Sequence, residues 1–283
     1  MIEIPIFGAL ALAGGTILEK IVLRKRKLDI KLYQVLSFSA IVLIIIPFIY
    51  FFWKVDAGAL KLENIIILAV VILFSILANL LTFYSMKWEK ITNLEPAKIL
   101  EPLFVILLAI IFSFFVEGLY DRNIHIIIPA LIAAFALIFS HIRKHHLEFS
   151  KYFVAAIFGS LFFALELVLS RLILDFYSPL AFYFIRCFFI ALISLALFSP
   201  KFGNLNKKLK GEIFVIGALW VIYRLVLYYG YLNYGVIFTT LMIMLGPVFT
   251  YIFAWRFLKE KPDWKNMLAS ILIIGSVLYA VLA

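Results

Sequence analysis

Apolar runs of about 20 residues recur along the whole chain, and a helix of about that length spans the roughly 30 Å hydrocarbon core of a bilayer. The 283 residues are 66% hydrophobic and only 15% charged, which is too little polar surface for a soluble domain of this size. Backbone groups in hydrocarbon must be hydrogen-bonded within their own segment, so these runs predict helices. The sequence therefore predicts an all-α integral membrane protein embedded in the lipid bilayer.

Short polar stretches divide the chain into ten predicted transmembrane helices. The basic stretch 24–27 ends the first apolar run, and residues 200–211, with four lysines, end the seventh. We expect the first run to be a retained helix and not a signal peptide, because no basic residue precedes it and no small-residue cleavage site follows it. The predicted spans are residues 4–23, 32–53, 64–86, 94–116, 124–142, 152–174, 179–199, 212–233, 236–258 and 265–282.

A sparse internal repeat relates the two halves of the chain. At a constant offset of 145 positions, Tyr84 aligns with Tyr229 and Pro102 aligns with Pro247. Self-similarity of this kind indicates a repeated architecture. The ten spans accordingly divide into two five-helix units.

The two units are predicted domains, at residues 1–146 and 147–283. Five is an odd number, so the second unit enters the membrane from the opposite side to the first. The sequence therefore predicts two inverted five-helix repeats related by an axis in the membrane plane. Transporters often have this architecture, with the binding site near the bilayer midplane where the repeats meet.

Loop charge predicts the orientation of the chain in a cell membrane. The loops after odd-numbered spans hold about 18 Lys and Arg and those after even-numbered spans about four, and the side rich in Lys and Arg is normally cytoplasmic. Both termini are therefore expected on the extracytoplasmic side. The net charge of +10 is explained by loop Lys and Arg that face the cytoplasm and anionic lipid head groups. No nucleic-acid partner is therefore expected.

The segment around Pro247 makes a family recognisable. The residues Gly246–Phe249 are followed by an acidic residue, Glu260. Ser178-Pro179 lies at the start of the seventh predicted span. With these motifs the chain resembles the drug/metabolite transporter superfamily, and within it the EamA family of ten-helix exporters. The resemblance covers nearly the whole chain. It implies a secondary-active exporter of small polar metabolites such as amino acids, which is not an enzyme and needs no cofactor.

Two acidic residues inside predicted spans are candidates for proton coupling. Residues 14–19 resemble the first helix of small multidrug-resistance proteins, in which a membrane-embedded Glu exchanges protons for substrate. Glu19 and Glu166 lie in the first and sixth spans, and a charge there costs at least about 2.5–3.5 kcal/mol. The pair is suited to load a proton or bind a cation. Alternatively, Glu19 forms an ion pair with Lys20 or Arg24 near a helix end.

Polar and aromatic residues at helical spacing predict the walls of a binding cavity. Asn79 and Arg224 align in the repeat, and Trp220, Arg224 and Tyr228 share one helical face. Arg224 is suited to bind a carboxylate or phosphate, and the aromatic rings suit the apolar part of a substrate. Packing is the alternative role of the aromatic residues. Arg186 is expected either to bind substrate or to neutralise Glu166.

Three residues of the repeated fourth and ninth spans complete the predicted site. Glu101 is expected to line the cavity, with stabilisation of a helix N-terminus as the simpler alternative. Pro102 and Pro247 interrupt helical hydrogen bonding, so both are predicted hinges for alternating access. A fixed packing bend is the alternative for each proline.

The sequence contains no Walker A loop, no nucleotide-binding glycine fingerprint and no His or Cys cluster at metal-ligand spacing. Neither ATP-driven transport nor a metal site is therefore predicted. A sugar-phosphate or nucleotide-sugar carrier is an alternative, although it would be expected to bury more basic residues than Arg186 and Arg224. A membrane enzyme acting on a lipid-linked substrate is a second alternative, but the loop acids, such as Asp56 and Asp175, form no catalytic motif.

Overall fold

The structure, a computed structural model, describes residues 3–25, 28–88, 97, 100–116, 120, 123–141, 150–201, 206–258 and 264–282. Within these residues the regular structure is helical, apart from one isolated backbone bridge. The helices are α1 (Glu3–Lys25), α2 (Ile30–Phe52), α3 (Leu62–Trp88), α4 (Leu100–Ser113), α5 (Ile124–His141), α6 (Lys151–Ile173), α7 (Pro179–Phe198), α8 (Lys207–Asn233), α9 (Val236–Ile243), α10 (Leu245–Leu258) and α11 (Trp264–Leu282).

Seven of the described helices are long and apolar enough to cross a membrane, judged by length and composition. Three further apolar helical stretches are shorter, at Leu100–Ser113, Ile124–Ser140 and Val236–Ile252. Large apolar side chains such as Phe115 and Leu197 are exposed on the outer surface, as hydrocarbon surroundings allow. The predicted all-α multi-pass membrane protein is confirmed, while the count of ten spans and the inverted repeats stay predictions.

Local sequence signals explain where the helices of the second half begin. The Ser150 hydroxyl accepts a hydrogen bond from the Phe153 amide at the start of α6. Ser178 does the same for α7, whose first residue is Pro179. A side-chain acceptor at this position satisfies an amide that the helix leaves unbonded, and proline is favoured at the first helical position. The Ser178-Pro179 motif therefore starts a helix, as predicted.

The ninth predicted span is not one continuous helix. It is divided at Met244 into α9 and α10. Pro247 lies three residues later and has no amide hydrogen, and its ring clashes with the carbonyl four residues earlier, at Ile243. Ile243 is the last residue of α9. Pro247 thus accounts for the interruption, while its role as a hinge stays a prediction.

Four helix pairs form the framework of the fold: α1 with α8, α3 with α6, α2 with α7, and α5 with α11. Glycines permit the close contacts between them, as small residues commonly do in membrane helices. A Cβ atom at Gly8 on α1 would lie 2.7 Å from Val226 Cγ1 on α8. One at Gly159 on α6 would lie only 2.8 Å from Thr82 Oγ1 on α3. These contacts join four helices that carry predicted site residues.

A short backbone bridge joins the linker between α2 and α3 to the linker between α6 and α7. Val55 and Tyr177 form an antiparallel bridge. The Asp56 amide donates to the Phe176 carbonyl at 2.8 Å, and the Ser178 amide donates to the Lys54 carbonyl at 2.9 Å. Both linkers therefore lie on the same side of the bundle. The predicted domain boundary at 146/147 and the predicted motif residue Glu260 lie outside the described residues.

Candidate functional site

A cavity of about 220 Å³ lies among the helices, and every described helix except α11 contributes to its wall. Most of its lining is apolar, with polar and charged groups at a few positions. Ligand sites in proteins commonly have this composition. The residues predicted from sequence that line the cavity are Glu19, Asn79, Glu101, Pro102, Arg186, Trp220, Arg224 and Pro247.

A buried ion pair joins α6 to α7 beside this cavity. Arg186 Nη1 donates to Glu166 Oε1 and also to the Tyr228 hydroxyl, at 2.6 Å for the second bond. The Tyr228 hydroxyl in turn lies 3.2 Å from Glu166 Oε1, to which it donates. All three side chains are almost completely buried. Arg186 is therefore ion-paired with Glu166 and also lines the cavity, and its role towards a substrate stays a prediction.

Arg224 is the second cation beside Glu166. Its Nη1 lies 3.3 Å from Glu166 Oε2, but among the described residues neither atom has a partner with hydrogen-bond geometry. The guanidinium carbon lies 5.5 Å from the centre of the Tyr223 ring and 5.8 Å from that of Phe163. Aromatic faces at such distances attract a cation. Arg224 is thus held beside the cavity with hydrogen-bonding capacity left over.

Glu166 and Tyr228 lie behind the cavity wall and do not line it. Sequence periodicity predicted Tyr228 as a substrate contact because it shares a helical face with Arg224. In the structure its ring packs edge-on against Phe182, with centroids 5.1 Å apart, and its hydroxyl is bound to Arg186. The position of α7 decides this, since that helix covers Tyr228.

Glu19 belongs to a different hydrogen-bonded cluster from Glu166. The Tyr33 hydroxyl on α2 donates to Glu19 Oε1 at 3.0 Å. The Tyr33 ring packs edge-on against Phe83 at 4.9 Å, and both Glu19 and Tyr33 are buried. Glu19 is therefore a buried acid at the cavity wall, and its role in proton coupling stays a prediction.

The remaining predicted wall residues come from α3, α4 and α8. Asn79 Nδ2 donates to the Ser75 carbonyl at 2.7 Å, one turn back on α3. Trp220 lies edge-on to Tyr223, with centroids 5.5 Å apart. Glu101 is the second residue of α4 and lines the cavity. The structure brings these residues to one cavity, and their contact with a substrate stays a prediction.

Three tyrosines of the site were missed by the sequence analysis. Tyr33 binds Glu19, Tyr183 lies 5.0 Å from the Arg186 guanidinium, and Tyr223 packs on Arg224. Helical spacing could have indicated Tyr183, which lies three residues before Arg186. The abundance of aromatic residues, at 17% of the chain, hid that signal.

Comparison with known proteins identifies the second half of the chain. A crystal structure of another protein superimposes on 99% of this chain and on 95% of its own, with a TM-score of 0.72 at 16% sequence identity, which is a likeness of fold. No curated protein sequence matches. Residues 150–282 match the model of the EamA-like transporter family. These residues form an EamA-like transporter domain, and the family resemblance found in the sequence is confirmed.

Proposed function

We propose that this chain is a secondary-active transporter that moves small polar metabolites across the membrane by alternating access to its central cavity. The single observation that carries the proposal is the cavity itself. It lies between helices from both halves of the chain, and charged side chains reach it from both halves, including Glu101 and Arg224. The EamA-like domain supports a small-molecule substrate and a bilayer as the surroundings.

The start of one helix pair supports an inverted-repeat architecture. Helices α3 and α8 begin at Leu62 and Lys207, 145 positions apart, which is the offset of the sequence repeat. Equivalent helices at this offset are expected if five-helix units are repeated.

Helix packing supports the same arrangement. The repeat pairs α1 with α6, α3 with α8, and α4 with α10. If the members of each pair are exchanged, the contact between α1 and α8 becomes the contact between α6 and α3. The contact between α4 and α6 likewise becomes that between α10 and α1. All four contacts are present. This exchange symmetry is what two units related by a two-fold axis would produce.

Two equivalent prolines are suited to act as hinges in such a mechanism. Pro102 lies in α4 and Pro247 in α10, 145 positions apart. Both line the cavity. The interruption at Met244 supplies a place where α10 can change its angle to α9 without breaking further hydrogen bonds. Movement there would alter access to the cavity.

The orientation that we propose has both termini on the extracytoplasmic side of a cell membrane. The bridge between Val55 and Tyr177 supports the assignment of two loops to the same side of the membrane. It joins the linker after the second span to the linker after the sixth, and the charge distribution assigns both linkers to that side.

Proton antiport is the proposed coupling, with Glu19 and Glu166 as the two candidate carriers. The Tyr33 hydroxyl donates a hydrogen bond to Glu19. Glu166 instead pairs with two arginines. The two candidate carriers therefore lie in different charge surroundings.

The size of the cavity favours a metabolite such as an amino acid over a nucleotide sugar. Sites for drug-sized ligands occupy about 300–1,000 Å³, and this cavity has a volume of about 220 Å³. The mixture of acidic and basic wall residues suits a polar, zwitterionic substrate. Export is the proposed direction, on the basis of the family resemblance.

The test is exchange by the purified full chain in proteoliposomes. Unlabelled amino acids, sugar phosphates and nucleotide sugars would each be loaded inside, and uptake of the same labelled compound measured outside. We expect counterflow with amino acids, and loss of counterflow in Thr16→Phe, which places a ring in the cavity. A panel with no counterflow above protein-free liposomes would contradict the proposal. Counterflow confined to phosphorylated sugars would favour the carrier alternative.

A further inference from the structure

We infer that Arg224 is the anion-binding residue of the cavity, that its ligand is a carboxylate carrying an apolar group, and that Arg186 is a positioning residue. The inference rests on the proposed function in one respect, because it treats the cavity as the place where substrate binds. It adds the chemical class of the ligand and divides the roles of the two arginines.

The charge of the cluster is unbalanced. Arg186 and Arg224 supply two positive charges, and Glu166 supplies one negative charge, so the three side chains carry a surplus of one positive charge. All three are almost fully removed from solvent. A buried charge without a counter-ion is unfavourable. A ligand that brings one negative charge would neutralise the cluster.

The two arginines differ in how completely they are bonded. Arg186 Nη1 is bound to both Glu166 and Tyr228. Arg224 Nη1 lies within ion-pair distance of Glu166 Oε2, yet within the described structure it has no hydrogen-bond acceptor. Arg224 also lines the cavity. Each arginine thus keeps one buried nitrogen without a partner in the described structure, Nε of Arg186 and Nη1 of Arg224. Arg186 is already hydrogen-bonded to Glu166 and Tyr228, whereas the contact of Arg224 Nη1 with Glu166 is not a hydrogen bond.

The Glu166 carboxylate lies beside Arg224 in the way that a ligand carboxylate would. Its Oε1 is engaged by Arg186 and Tyr228, while Oε2 faces Arg224 at 3.3 Å without a hydrogen bond. A ligand carboxylate could offer Arg224 two oxygens in the planar geometry that a guanidinium prefers. The weak contact between Arg224 and Glu166 would then be replaced by hydrogen bonds between Arg224 and the ligand. The ion pair of Glu166 and Arg186 would stay intact.

The neighbourhood of Arg224 defines the rest of the ligand. Tyr223 and Phe163 lie beside its guanidinium, and Trp220 packs on Tyr223. The remaining wall is largely apolar, so the body of the ligand should be aliphatic or aromatic. A phosphate monoester carries about −1.5 to −2 charges at neutral pH, which exceeds the surplus, so a carboxylate fits better.

The experiment compares an acid with its amide in binding to the purified, detergent-solubilised full chain by titration calorimetry. The probes are 3-phenylpropionate, its neutral amide and phenyl phosphate. We expect the acid to bind at least about tenfold more tightly than the amide, because hydrogen bonds between two charged groups are stronger than those to a neutral group. Equal binding of acid and amide, no binding of the acid, or tighter binding of the phosphate would each overturn the inference.

Variants separate binding by Arg224 from a structural role. Arg224→Gln should abolish the preference for the acid, while Arg224→Lys should keep the preference at lower affinity. Arg171→Gln is the matched control, since Arg171 is bound to Asp175 at 2.8 Å and does not line the cavity. An acid preference that survives in Arg224→Gln would overturn the inference. If that variant does not fold, loss of the preference in Arg224→Lys would do so instead.

The binding and counterflow results together distinguish failure of this inference from failure of the proposed function. Acid-selective binding that depends on Arg224, combined with no counterflow in liposomes, would reject the transporter and retain the anion site. Counterflow that favours amides or amines as strongly as acids would retain the transporter and reject the anion site.

Discussion

Arg186 on α7 donates a hydrogen bond to Glu166 on α6, and both side chains are buried inside the bundle. The two residues lie 20 positions apart in sequence, on helices joined by the linker that pairs with Val55. Tyr228 on α8 completes the contact by bonding both. Three helices therefore meet at one ion pair. Arg224 lies beside the Glu166 carboxylate as a second cation. The stability of the bundle and the chemistry of the cavity depend on the same carboxylate.

Replacement of Glu166 should destabilise the fold more than replacement of Arg186. Glu166→Gln leaves two buried arginines unpaired, whereas Arg186→Met leaves Glu166 paired with Arg224. Breaking a buried pair costs about 3–5 kcal/mol, so we expect a large drop in the thermal unfolding midpoint for Glu166→Gln. Addition of Arg186→Met to that variant should recover part of the loss. Wild-type stability of Glu166→Gln would show that the ion pairs do not hold the helices.

Neutralisation of Glu19 should uncouple transport from protons. In Glu19→Gln the side chain keeps its size but carries no titratable proton, so uptake driven by a pH gradient should be lost while exchange between equal pH values continues. Tyr33→Phe is the informative companion, because it removes the hydrogen bond and keeps the acid. Its pH profile should shift without disappearing. Unchanged gradient-driven uptake in Glu19→Gln would remove Glu19 as the carrier.

Substitution of Pro247 should slow transport more than it weakens binding. Pro247→Ala restores an amide hydrogen and removes the clash with the Ile243 carbonyl, which favours a continuous helix through Met244. We expect a several-fold slower exchange rate at nearly unchanged ligand affinity. Pro129→Ala is the matched control, since Pro129 lies inside α5 and does not line the cavity. Equal slowing in both variants would indicate a general packing effect and no hinge.

Cysteine labelling can determine the orientation. The native Cys187 is buried, so it should contribute little background with a membrane-impermeant maleimide. Lys54→Cys lies in the linker after the second span and Lys201→Cys follows the seventh, and both positions are exposed. In intact cells we expect labelling at position 54 and none at position 201 until the membrane is opened. The reverse pattern would place both termini in the cytoplasm.

The helices were predictable because their signal is local. A run of apolar residues defines a membrane helix without reference to any other part of the chain, and Ser178-Pro179 marks a helix start by its own hydrogen bond and geometry. The repeat offset placed Asn79 and Arg224 as equivalents, and both line one cavity. Short motifs in the second half also indicated the likeness of residues 150–282 to the EamA-like transporter family.

The partners of the charged residues were decided by tertiary structure alone. Sequence periodicity placed Tyr228 on the face of Arg224, yet the packing of α7 turned it towards Arg186. The sequence left Arg186 with two possible roles, and its contact with Glu166 depends on the depth and rotation of α6 against α7. Side-chain pairing between distant helices depends on angstrom-scale positions set by all the packed residues together. Hydrophobic patterning determined which segments enter the membrane, and helix packing determined which charge remains available to a ligand.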